Sequence, residues 1–237
     1  MSGASVLSSP LRNGPATQRL GFGSWGSSLP LLLTTFGAVT VIVGSYMTWA
    51  TFYAGLISRN GVPGHGKYFI GLAVASVLAI ALSTMPGVSR ALRSLVLPAG
   101  GAIAFVAIRD LRNLDVLISD PASGFYVPGH GHGLYVVVAG AFILMLAPLA
   151  NSELRYLRPM RNLRTFSALA AVTGVAALVP AIYGEYYMHV AAGNGHVHNH
   201  NAIMNSTHAL NLGGAFLLLA ALRLWIAGIT PRPSRAV

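Results

Sequence analysis

The sequence predicts an all-α membrane protein of six transmembrane helices, arranged as three helical hairpins with an internal repeat. Composition is the first reason: of 237 residues 54% are hydrophobic and only 8% charged, too few charges to cover a soluble domain of this size. Second, apolar runs alternate with short polar segments that hold the arginines, which is the pattern of topology signals. A net charge of +10 suggests nucleic acid in a soluble chain, but this placement makes the lipid bilayer the expected partner and excludes nucleic acid. Third, Val62-Pro63-Gly64-His65-Gly66 recurs as Val127-Pro128-Gly129-His130-Gly131. Each copy ends a polar loop and leads into an apolar segment, so one structural position is used twice. Thr207-His208-Ala209, ahead of Gly213 and Gly214, reads as a weaker third copy.

The elements follow in chain order. Residues 1–28 are rich in Ser, Gly and Pro without helical periodicity, and are expected to form a flexible cytoplasmic tail. The membrane domain is expected over 29–228, followed by a second cytoplasmic tail over 229–237. The apolar run 29–57 is too long for a signal peptide and predicts a retained first span, with Tyr46, Trp49, Phe52 and Tyr53 at headgroup level. Span two, 68–85, ends at Pro86-Gly87, and span three covers 92–108 despite Pro98, Gly100 and Gly101. A polar loop, 109–133, closes on the second pentapeptide before span four, 134–149. An Arg-rich connector leads to span five, 166–183, bent by Pro180. The third loop, 184–205, precedes span six, 208–226, which Ser206 or Thr207 caps. Gly37, Gly44, Gly71, Ala75, Gly140 and Gly174 are expected helix contact points.

Charge decides orientation. Arg12, Arg19, Arg90, Arg93, Arg155, Arg158, Arg161, Arg164, Arg232 and Arg235 fall on one side, against Arg59, Lys67, Arg109 and Arg112 on the other. Both termini are therefore expected in the cytoplasm. All eight histidines then lie on the outer side. No strongly charged residue falls in the middle of an expected span, which disfavours a transporter or channel. The cytoplasmic connectors are too short for a catalytic domain, no serine shows an elbow motif, and no catalytic residue is assigned.

The chemistry therefore rests on imidazole. If the hairpins pack around a pseudo-threefold axis, His65, His130 and His208 face it together, and His132, Asp115, Asp120 or Glu185 completes a metal shell. In an extended backbone His196, His198 and His200 share one face, with His189 and Met188 adding donors suited to copper. Copper or zinc is the expected metal. Haem is disfavoured because only His208 is expected on a helix, and with no cysteine there is no thiolate site or disulfide. Against these stand bland readings: tight Pro-Gly turns re-entering the membrane, and a polar third loop with solvated histidines.

Met47-Thr48-Trp49-Ala50, a Gly-rich outer loop, and re-entry at Lys67-Tyr68-Phe69 resemble a loose group of small polytopic membrane proteins of actinobacteria associated with tryptophan operons. The resemblance covers about a quarter of the chain, and the histidines and the third hairpin depart from it. It implies a multi-pass protein of a bacterial inner membrane and no catalytic residues. The leading expectation is a non-enzymatic protein holding copper or zinc at a His-rich outer face. The alternative is an accessory subunit docking other membrane subunits or a second copy of itself.

Overall fold

A computed structural model describes residues 25–85, 90–119, 129–149, 162–193 and 200–229. Six helices dominate these residues: α1 (Trp25–Tyr46), α2 (Lys67–Leu82), α3 (Val96–Ser119), α4 (Gly133–Leu149), α5 (Leu163–Gly193) and α6 (His200–Ile229). Five are long and apolar enough to cross a membrane, and the sixth, α4, is a shorter apolar helix. Its 17 residues rise about 25 Å, just under a hydrocarbon core of about 30 Å. α4 is nevertheless central, packed between α1 and α3.

Three sequence expectations are corrected. The apolar run 29–57 is not one helix: α1 stops at Tyr46 and the chain enters strand β1 (Thr48–Phe52), paired antiparallel with β2 (Ile57–Asn60). Thr48-Trp49-Ala50-Thr51-Phe52 is β-branched and aromatic, so it favours a pleated strand over another helical turn. The hairpin tip holds Tyr53, Ala54 and Gly55 at φ values of 54°, 55° and 91°. Trp49 Nε1 donates to the Gly44 carbonyl (2.8 Å), and Gly61 N donates to the Ser45 carbonyl (3.0 Å), so both hairpin arms are tied to the end of α1.

Second, the polar segment after span three is helical. α3 continues to Ser119 because no Pro or Gly interrupts the chain between Gly101 and Pro121. Its 24 residues rise about 36 Å, more than the thickness of about 30 Å of a hydrocarbon core. Third, the expected loop 184–205 is largely helix: α5 runs on to Gly193 and α6 begins at His200.

The pentapeptide copies take different conformations. Val62–Gly66 is a tight helical turn that feeds α2, whereas Gly129–His130 forms β3, which pairs with β1 through Ala50↔His130 and Thr51↔Gly129. The sheet order is β2-β1-β3. α1 lies most extensively against α4, while α5 lies along α6.

Glycines set the helix spacing where expected. A Cβ on Gly37 would lie 2.8 Å from Leu144 N, and one on Gly44 2.7 Å from Val137 N. Across the same seam a Cβ on Gly140 would lie 2.7 Å from Val41 N. Gly37 and Gly44, seven residues apart, are thus on one face of α1, where backbone meets backbone. Gly174 meets Leu218 and the Gly214 carbonyl in the same manner. Gly71 is different, with nothing within 4 Å, and Ala75 is exposed.

Candidate functional site

The turn ahead of α2 aims one side chain inward. Gly66 N and Gly64 N both donate to the Gly61 carbonyl (2.9 and 3.0 Å), and Gly64 breaks the helical path at φ −103°, ψ −130°. A Cβ on Gly66 would lie 2.6 Å from the Gly61 carbonyl, so only glycine permits the turn to close. His65 is thereby buried, 4% exposed, and its ring stacks on the fully buried Phe69 at 5.9 Å and 12°.

Each ring nitrogen of His65 has a partner. Nδ1 lies 2.7 Å from Asp110 Oδ2, and Nε2 lies 2.8 Å from His208 Nδ1. Asp110 comes from α3 with a side chain 15% exposed, and His208 from α6, so three helices converge on one continuous chain of polar groups. A carboxylate oxygen only accepts, so His65 Nδ1 carries a proton, and in the neutral ring Nε2 is left as acceptor. His208 Nδ1 must then donate. The connectivity leaves His208 Nε2 as the base at the open end of the chain, 4.0 Å from where a Cβ on Gly64 would stand. Beside it, Lys67 Nζ donates to Asn205 Oδ1, and the Tyr68 hydroxyl donates to the Asn205 carbonyl at 2.9 Å.

All three groups lie within helices of membrane-spanning length, Val62–Leu82, Ala91–Asp115 and Asn205–Ile229. Each is three to five residues from the end of its segment, about 5–8 Å inside it along the axis. The polar loop expected over 109–133 is corrected here, since Asp110 belongs to α3. Asp110 is the residue that sequence reading missed, because it was placed in a loop. Its signal was periodicity: buried Ala99, Ala102, Ile103, Val106, Ala107 and Leu114 continue one helical face through position 110.

The other expected ligands are dispersed. His65 and His208 of the expected trio are in contact, but His130 sits on β3 with Nε2 3.0 Å from Asp115 Oδ1, the two side chains 33% and 60% exposed. One axis shared by three imidazoles is therefore not formed. The cause is conformational: His65 leads a helical turn, His130 is in a strand, and His208 stands two turns inside α6. His132 is exposed in the bend before α4. Glu185, Met188 and His189 fall on α5 and His200 on α6, where a polar loop was expected; Asp120, His196 and His198 lie outside the described residues. With His200 on a helix, the extended three-histidine strip does not continue to that residue. Among the described residues, no group of three or more His, Cys, Asp or Glu side chains is placed to hold a metal ion. Comparison with family models, with curated proteins and with solved structures finds no match to this chain.

Proposed function

We propose that this chain is a proton-handling membrane protein whose working centre is Asp110–His65–His208. The unbroken polar chain of 2.7 and 2.8 Å contacts inside apolar helices carries the reading, because ionisable groups at such depth are costly and mark proton or substrate pathways. A proton arriving at His208 Nε2 releases the Nδ1 proton to His65 Nε2, and the His65 Nδ1 proton passes to Asp110. Charge is moved inward by three short transfers with no heavy-atom displacement. In this reading both termini are cytoplasmic, the site opens outward, and the membrane is a bacterial inner membrane.

The test is ¹⁵N spectroscopy of histidine-labelled protein in nanodiscs. His65 and His208 are expected as Nδ1–H tautomers with a scalar coupling across the hydrogen bond from His208 Nδ1 to His65 Nε2, and Asp110→Asn is expected to change that coupling. Absence of a coupling between the two rings, or one unaffected by that substitution, would refute the proposal.

A second reading keeps the metal. The Asp110–His65 Nδ1 contact is the carboxylate–imidazole arrangement that orients metal-bound histidine and raises its basicity. His65 and His208 would be the residues that supply imidazole donors to copper or zinc, and a further donor would be needed. Purified protein is then expected to carry stoichiometric metal that His65→Ala or His208→Ala removes; metal-free wild type would end this reading.

A further inference from the structure

We propose that the end of the bundle away from His65 binds an anionic phospholipid, one acyl chain lying in a groove between α3, α4 and α6 and the phosphate on Arg223. Two adjoining clefts of about 340 and 210 Å³ share Gly101, Met145 and Leu219 and so form one groove. The larger cleft has only apolar lining residues, among them Phe105, Phe142 and Ala215. The smaller one reaches Arg223. From Ala215 to Arg223 the groove follows α6 for about 12 Å.

Charge and surroundings select the occupant. α3 and α6 are membrane-spanning in length and α4 is wholly apolar, so the groove opens toward hydrocarbon, where an acyl chain is the ligand always at hand. Arg223 is at the same end as Arg93, in the turn that enters α3, and Arg164, whose Cγ would be 3.7 Å from a Cβ on Gly228. Arginine about six residues inside the end of a span extends its stem along apolar surface toward the headgroups and presents a forked donor to phosphate. Gly101 keeps the groove open: a Cβ there would lie 2.8 Å from Leu219 Cδ1.

The measurement is native mass spectrometry of the full-length protein, delipidated and titrated with palmitoyl-oleoyl phosphatidylglycerol or the matching phosphatidylcholine. Wild type is expected to prefer phosphatidylglycerol about fivefold, the discrimination available from one arginine at an anionic headgroup. Arg223→Gln should abolish the preference while retaining binding, and Gly101→Leu should weaken both lipids. Equal binding of the two lipids by wild type, an unchanged preference in Arg223→Gln, or a second copy of the chain occupying the groove in place of lipid each overturns the proposal. Because Arg223→Gln leaves the apolar lining intact, it decides the matter even where Gly101→Leu fails to fold.

Discussion

His65→Ala is expected to destabilise the protein by about 3–5 kcal/mol, the usual consequence of removing one member of a buried ionisable pair. The substitution takes the Nδ1 donor from Asp110 Oδ2, the Nε2 acceptor from His208, and a stacked ring from Phe69. Asp110→Ala alone is expected to cost less, about 1–3 kcal/mol, since it leaves a ring N–H without its acceptor. The double variant separates a coupled pair from two independent contributions. Once both groups are gone neither is stranded, so the doubly substituted protein should be more stable than the sum of the single losses by about 0.5–3 kcal/mol. Unfolding of reconstituted protein by denaturing detergent reads all three values, and strict additivity would show that Asp110 and His65 do not support one another.

Gly44→Leu is expected to open the α1–α4 seam. The first added carbon already falls 2.7 Å from Val137 N and 2.8 Å from the Gly133 carbonyl, and those are backbone atoms that cannot rotate away. Overpacking of this kind costs about 1–3 kcal/mol and more where backbone must shift. Gly71→Ala provides the control. With nothing within 4 Å of its Cβ position, and in a helix interior where Ala is favoured over Gly by up to about 1 kcal/mol, it should be neutral or stabilising. Equal losses at positions 44 and 71 in thermal unfolding would mean that the close helix contact does not set stability.

These two experiments touch features of unequal legibility. The α1–α4 seam could be read because Gly37, Gly44 and Gly140 are small residues inside apolar runs, and in lipid such residues mark close helix approach. The polar chain could be read only in part. His65 and His208 were singled out by position ahead of apolar segments, but the inference that matching pentapeptides mean matching geometry failed. Gly129–His130 finds an open strand edge on β1, whereas Val62–Gly66 abuts the end of α1 and folds into a turn. Asp110 was hidden because polar residues following an apolar run look like a loop when the helix simply continues through them.

By itself the sequence determined the apolar helices of membrane-spanning length. Hydropathy and charge are sums over local residues and need no knowledge of what each helix touches. Only the tertiary structure decided that His65 meets Asp110 and His208 while His130 is held apart with Asp115. Such meetings depend on where each helix ends and on its rotation about its axis. A residue's neighbours four positions away then place it inside or out, and contacts across more than a hundred residues of chain supply its partner.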